Sequence, residues 1–208
     1  MSTDYPLNLH EFYRNFFTGE VDEELIDKFV SISRVVTKEK GEIIFGPEAT
    51  GPSSTFLLDG IMKTFVLSPD GEENTYALFF RPGTAICLTK EMINASGLYL
   101  KTLTKTTYVE MVGIGPWDLV EEYPILYREV LYAVMPLTFG MLDKLRAGYT
   151  LSAKERYLWF LNKYAPIVDR ISLAEVSLFL GIKPQSLSRI RAELAEEEGT
   201  TPPENLVD

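Results

Sequence analysis

The segment from Ile171 to Leu194, ISLAEVSLFLGIKPQSLSRIRAEL, constrains the fold of this chain more than any other stretch. Leu173, Val176 and Leu180 recur at helical spacing and mark one apolar face. Ser172 followed three residues later by Glu175 is a capping box, in which each side chain answers the other residue's backbone N–H at a helix start. Gly181 suits the left-handed position that closes a helix, where a Cβ would be strained. Pro184 suits the first turn of the next helix, which has no use for its missing N–H. Leu187, Ile190 and Leu194 form a second inward stripe, and the small Ser177 sits where two helices would cross closely. The pattern predicts two short helices broken at Gly181. Gln185, Ser186, Ser188, Arg189 and Arg191 fall on the other faces of the second.

That outer chemistry suits DNA. An arginine can donate two bonds to guanine O6 and N7, and a glutamine can pair with adenine N6 and N7. Lys183 and Ser186 are better suited to phosphate, which sets position rather than sequence. The spacing is that of a helix-turn-helix, whose second helix enters the major groove. It equally suits a pair of packed helices in any α-helical domain.

Charge argues at first against a nucleic-acid partner. The chain of 208 residues carries a net charge of −10, and phosphate attraction supplies most nonspecific DNA affinity. The charge is uneven, however. Residues 150–192 hold seven Lys/Arg against three Asp/Glu, and the acid of the C-terminal region is concentrated in Glu193, Glu196, Glu197, Glu198, Glu204 and Asp208. A locally basic segment is embedded in an acidic protein. Hydrophobic residues make up 46% of the chain, enough for one large or two small cores. No apolar run approaches the ~18 residues of a membrane span, and the N-terminus does not read as a secretory signal. The expected location is the cytoplasm, with no membrane partner.

The rest of the chain divides by pattern. Residues 8–32 read as one or two amphipathic helices around Leu9, Phe12, Phe16, Leu25, Ile26 and Phe29. From Ser33 to Ile114, short β-branched and aromatic runs alternate with turns: SRVVT, EIIF, STFLLD, IMKTFVL, NTYALFF, TAICL and TLTKTTYVEMVGI. Such spacing predicts a β-sandwich or barrel, with a hairpin at Pro69-Asp70-Gly71. Pro124 opens a long helix to about Ala147. Along it Leu131, Met135, Thr138, Leu142, Leu145 and Tyr149 recur at alternating intervals of four and three, a heptad-like seam. That seam serves either a second helix or packing against the β-domain. Pro136 within it should bend the helix or force a local irregularity. Ser152 with Glu155 is a second capping box, opening a helix to Tyr164.

In this order the parts resemble the Crp/Fnr (catabolite-activator-like) family of bacterial transcription regulators, from about Ile26 to Gly199. The residues that carry the resemblance are Lys40-Gly41-Glu42-Ile43-Ile44-Phe45, Leu58-Asp59-Gly60, Pro69-Asp70-Gly71-Glu72-Glu73, Phe80-Arg81-Pro82-Gly83, Ser152-Ala153-Lys154-Glu155-Arg156, and Leu180-Gly181-Ile182 with Ser188-Arg189. The resemblance implies an α+β fold in three parts. Residues 1–123 would form N-terminal helices and a cyclic-nucleotide-binding-like β-roll of jelly-roll type, 124–149 a dimerisation helix, and 150–208 a helix-turn-helix domain with an acidic tail. It implies a cytoplasmic homodimer, with the seam above between the copies. Its partners would be double-stranded DNA with an inverted-repeat operator and RNA polymerase. Gln185, Ser188 and Arg189 match the family's base-reading positions, Lys183 and Ser186 would lie near phosphate, and Arg191 completes the set.

The chain departs from the family at its sensor. Cyclic-nucleotide-binding members have Gly-Glu after the Pro-Gly turn and a later Arg-Ser whose guanidinium holds the cyclic phosphate. Here Pro82-Gly83 is followed by Thr84-Ala85-Ile86-Cys87-Leu88, and Ile93–Tyr99 holds no arginine, leaving only the flanking Lys90 and Lys101. No cyclic AMP binding is expected. The lone Cys87 rules out an iron–sulfur cluster ligated by several cysteines of one chain and reads as inert core. His10, the one histidine, lies outside the roll and reads as a surface residue. A cupin-type metal enzyme, which needs converging histidines, is therefore not expected, nor is any cofactor. Met62, Tyr76, Leu78, Phe80, Ile86 and Leu98 would either line a site for a small aromatic or lipid-like effector or fill a solid core. The second departure is the tail. Gly199-Thr200-Thr201-Pro202-Pro203 leaves little room for a β-wing. The Glu196–Glu198 run reads as a solvated helix end or as a tail that weakens DNA binding. A protein of the same fold that has lost DNA binding and acts through a protein partner is the alternative.

Overall fold

The computed structural model describes residues 8–47 and 54–198. The Gly51-Pro52 turn and the tail from Gly199, with Glu204, Asp208 and the stretch expected to leave little room for a wing, lie outside the described residues. Two helices open the fold, α1 (Leu9–Phe16) and α2 (Glu23–Ser31). Asn8 caps the first by accepting from the N–H groups of His10 and Glu11. Their aromatic faces meet the roll edge-on: Phe12, Tyr13 and Phe16 all make T-shaped contacts with Phe56. His10 is half-buried near the surface and bonds Asp27 at 2.9 Å.

Among the described residues eight strands follow: β1 (Ser33–Lys38), β2 (Ile43–Phe45), β3 (Ser54–Asp59), β4 (Met62–Leu67), β5 (Glu73–Phe79), β6 (Ala85–Cys87), β7 (Tyr99–Thr102) and β8 (Thr106–Met111). They form two four-stranded antiparallel sheets in the orders β1-β8-β3-β6 and β2-β7-β4-β5, a jelly-roll type of sandwich. The alternating runs land where the sequence places them, and β4–β5 is the expected hairpin. Two elements differ from expectation. The run Thr102–Ile114 is not one strand; it breaks at Leu103–Lys105, and β7 begins earlier, at Tyr99. Between β6 and β7 the chain forms a short helix, α3 (Lys90–Ser96), capped by Thr89 and closed by Gly97 in the left-handed region. Its single buried residue is Ile93, so its apolar periodicity is too sparse to read.

Between the sheets lie Ile44, Phe45, Leu57, Met62, Phe79, Ile86, Leu100 and Tyr108, all buried. Cys87 is buried in the neighbouring cluster under α1 and α2. Burial pushes its thiol up to about 12, so it stays protonated and unreactive at neutral pH.

Helix α4 (Ile125–Thr150) runs alongside the roll without a break at Pro136. Proline leaves the Tyr132 carbonyl without its usual N–H partner, and both residues border a groove rather than the packed face. By length and composition α4 is long and apolar enough to cross a membrane. Its two sides, however, have different surroundings. Leu126, Glu129, Val130 and Ala147 are buried against the protein. Leu131, Met135, Thr138, Leu142, Leu145 and Tyr149 lie exposed along the opposite side, Tyr149 by 84%. The seam does not pack on the roll.

Among the described residues the last three α-helices are α5 (Ala153–Lys163), α6 (Leu173–Leu180) and α7 (Pro184–Glu198). Their apolar cluster includes Tyr157, Phe160, Ile167, Phe179, Leu187 and Ile190. It takes in three residues of the roll as well, Ile61, Leu78 and Leu103. The outer face of the second sheet is thus roofed by α5–α7.

The β3–β4 turn depends on one glycine. Gly60 has φ +103°, and a Cβ there would lie 2.5 Å from Thr106 Oγ1 and 2.7 Å from the Lys105 carbonyl oxygen. Gly60→Ala is expected to destabilise the protein by about 1–3 kcal/mol, measured by urea unfolding; an unchanged midpoint would mean that the turn relaxes freely.

Candidate nucleic-acid interface

The C-terminal helices are built by the local signals. Ser152 Oγ accepts from the Glu155 N–H, and the Glu155 carboxylate accepts from the Ser152 N–H at 2.7 Å, so the capping box of α5 is complete. Arg156 turns back to donate to the Leu151 carbonyl at 3.1 Å, tying α5 to the end of α4. Gly181 closes α6 at φ 62°, with its own N–H and that of Ile182 donating to the Ser177 carbonyl. Ser177 is buried between the helices. α7 begins at Pro184.

On α7 the structure separates two faces. Leu187 and Ile190 are buried, and Leu194 is half-buried. Gln185, Ser188 and Arg189 are exposed, as is Lys183 just before the helix; Ser186 is half-buried. At ~100° per residue Gln185, Ser188, Arg189 and Ala192 share one outward face. Arg191 is different. It is half-buried, and its guanidinium opposes the upward push of burial on the Tyr157 hydroxyl of α5, so it sits toward α5 rather than standing free. Acid stands on the outward face too. Glu193 lies 3.8 Å from Arg189, and Glu196 follows one turn after Ala192. Glu197 is drawn back to α5, where Lys154 donates to it at 2.7 Å.

In the capping box of α6, the half that should bind the Ser172 N–H is diverted. Ser172 Oγ accepts from the Glu175 N–H at 3.3 Å, as expected. The Glu175 carboxylate, however, meets Lys63 Nζ of β4 at 2.6 Å. Lys63 is wholly buried and also pairs with Glu73 at 2.6 Å. Burial pushes the Glu73 carboxyl up, but hydrogen bonds from Lys101 and Lys63 outweigh it and hold it below the usual carboxylate range. A strong charge partner thus takes the carboxylate from a local backbone N–H.

A groove of about 770 Å³ runs between β5–β6 of the roll, α4 and the end of α5. Aromatic residues wall it, including Phe16, Tyr76, Phe79, Phe80, Tyr132, Phe139 and Tyr164, and Arg81, Glu129, Asp143 and Lys163 supply charge. Buried Glu129 accepts from the Thr18 N–H at 3.1 Å and hydroxyl at 2.9 Å, and Lys163 is paired with Asp143. The six residues expected around an effector do not converge. Tyr76, Leu78 and Phe80 border this groove. Met62 and Ile86 are packed in the roll interior, while Leu98 is half-buried. Leu78 belongs to the cluster under the C-terminal helices, because its side of β5 faces out of the sandwich. Lys101 is committed to Glu73 at 2.7 Å. Among the described residues no cluster of His, Cys, Asp and Glu could hold a metal.

Sequence reasoning passed over Lys63, Glu73, Glu129 and Lys144. The signal for Lys63 is present: a lysine at an alternating position of an otherwise apolar strand, IMKTFVL. Lys144 of α4 donates to the Thr75 carbonyl of β5 and lies 4.8 Å from the Phe179 ring of α6, joining roll, long helix and C-terminal helices. Burial lowers its pKa from 10.5 to about 8. Between that value and the unfolded ~10.4 the unfolded chain holds the proton and the native one does not, so this group adds stability as pH rises through the window. Urea unfolding at pH 7 and 9.5 should therefore show the wild type gaining on Lys144→Met as pH rises; parallel pH profiles would contradict the burial of the amine.

Known proteins match by fold. No family model matches the sequence, and no curated protein matches it. Among solved structures, a Crp/Fnr-family transcriptional regulator from Eubacterium rectale is 14% identical, with 89% of each chain covered and a TM-score of 0.72. The c-di-GMP-responsive global regulator CLP of Xanthomonas campestris is 16% identical over 85% of this chain and 93% of its own, at 0.66. A variant of CooA from Carboxydothermus hydrogenoformans is 18% identical over 96% of this chain and 88% of its own, at 0.63. At these identities the shared property is architecture, and the architecture is that of the Crp/Fnr regulators.

Proposed function

We propose that this chain is a dimeric, sequence-specific DNA-binding transcription regulator of the Crp/Fnr kind, working in the bacterial cytoplasm. Residues 1–123 serve as the sensor, 124–149 as the dimerisation helix and 150–208 as the DNA-reading part. The observation that carries this reading is the outward face of α7. Gln185, Ser188 and Arg189 stand exposed on a helix whose opposite side is buried, in a fold shared with regulators. Gln185, Ser188 and Arg189 read bases, Lys183 and Ser186 sit at phosphate, and Arg191 supports them through Tyr157.

The exposed side of α4 supports a second copy. An apolar seam at heptad-like spacing, left open by the roll, is satisfied by the same seam of a twofold partner. Pairing there places two α7 helices for successive major grooves, about 34–36 Å apart, on an inverted repeat.

The effector site is the groove beside α4, with Tyr76, Leu78 and Phe80 on its roll side. It is not the packed interior around Met62 and Ile86. Cyclic AMP is not the ligand, because the roll lacks the phosphate-binding arginine and Lys101 is engaged by Glu73. A second reading, the same fold acting through a protein partner, is favoured by the acid at Glu193 and Glu196 on the reading helix. Salt separates the two, since DNA affinity falls steeply with salt.

Arg189→Ala is expected to cost about 1–3 kcal/mol of operator binding and to relax specificity at one base pair. Glu193→Gln, which frees Arg189 and removes a like charge from the phosphates, should tighten binding several-fold. Both are read in salt-titrated gel shifts on a selected operator; intact binding by Arg189→Ala would overturn the site assignment. Leu142→Asp should convert a dimer to a monomer in sedimentation velocity and abolish tight operator binding. A monomeric wild type would refute the seam.

A further inference from the structure

Lys63 on β4 and Lys101 on β7 stand directly opposite each other, a like-charge cross-strand pair that is unfavourable by itself. Among the described residues of the roll a single carboxylate answers both, Glu73 on β5, at 2.6 Å from Lys63 and 2.7 Å from Lys101. The roll alone therefore leaves this cluster with one uncompensated positive charge, next to a lysine that is wholly buried. The missing carboxylate arrives from the C-terminal part, as Glu175 of α6, 2.6 Å from Lys63. Breaking a buried pair by removing one partner is costly, because the remaining charge is stranded.

Glu175 also has a local alternative. It occupies the third position of α6 after the Ser172 cap, where its carboxylate would accept from the Ser172 N–H. The equivalent Glu155 of α5 does this at 2.7 Å, whereas Glu175 points to Lys63.

We propose that Glu175 is a two-position latch. Bound to Lys63, it holds the helix-turn-helix on the outer face of the roll. Released, it closes the capping box on Ser172. Separation of the two parts then admits water to Lys63 and returns a capping bond to α6, so the helix stays folded while its docking is lost. The latch biases a two-state equilibrium of domain orientation through one ion pair. Its consequence for operator binding rests on the reading of α7 as the DNA-reading helix; the latch itself does not.

The test uses the full chain with Glu175→Gln, Lys63→Met and the double variant, followed by hydrogen exchange, amide NMR and gel shift. Glu175→Gln should speed exchange in 73–79, the strand that α6 covers, by about tenfold or more, leaving α2, β1 and β8 unchanged. Lys63→Met should do the same, and the double variant should add little to either. In Lys63→Met the Ser172 amide should move downfield and exchange more slowly, an effect absent when Glu175→Ala accompanies Lys63→Met, because glutamine would still accept from that amide. Should Lys63→Met fail to fold, Glu175→Gln carries the test, since it leaves Lys63 paired with Glu73. Unchanged exchange in Glu175→Gln, additive effects in the double variant, or an unmoved Ser172 amide would each overturn the latch. Faster exchange in Glu175→Gln together with a wild type that binds no operator would uphold the latch and sink the DNA reading.

Discussion

A sandwich of two sheets has two inner faces to bury and two outer faces that ordinarily meet water. In this protein one outer face is apolar enough to need a cover. Ile61, Leu78 and Leu103 turn away from the roll interior and join the cluster built by Tyr157, Phe160, Phe179, Leu187 and Ile190. The roll and the C-terminal helices therefore share a core, and the placement of α7 follows from it. At roughly 1.5–3 kcal/mol for each large apolar side chain removed from water, three such residues amount to a substantial fraction of a typical domain's net stability.

Inside that apolar contact sits a charge. Burial of Lys63 is tolerable only because Glu73 and Glu175 both reach it, and they come from opposite sides of the contact. Hydrophobic burial supplies attraction without direction, whereas the ion pair is satisfied in one relative placement. The two effects divide the work: the first keeps the parts together and the second sets their register. Lys144, which joins β5 to α6 through Thr75 and Phe179, lies at the same contact but has a carbonyl rather than a carboxylate as its partner.

Most local elements were legible in the sequence. The strands from β1 to β6 coincide with alternating runs bounded by turns, and helices α5 and α6 begin at Ser152 and Ser172, where cap signals stand. These depend on neighbours within a few residues, so a one-dimensional pattern contains them. The short α3 and the early start of β7 were not legible, because a seven-residue helix with one buried residue has no periodicity to detect. The outward residues of α7 were legible for the same reason as its inward stripe: period fixes which side is which. The separation of the six residues considered for an effector was not, because alternation says only that Met62 and Leu78 lie on faces of strands. It does not say that one face meets the roll interior and the other the C-terminal helices.

The sequence by itself determined the order of parts, the ends of most helices, the exposed set Gln185, Ser188 and Arg189, and the apolar seam of α4. Each of these follows from short-range sterics, capping and period. Only the tertiary structure decided that the seam stays open while the other side of α4 packs, that the groove lies beside α4 rather than within the roll, and that Arg191 turns inward to Tyr157. It also decided the partner of Glu175. A capping box is the nearest use for that carboxylate along the chain, but Lys63, 112 residues away, is nearer in space. A buried ammonium competes for a carboxylate more strongly than a backbone amide does.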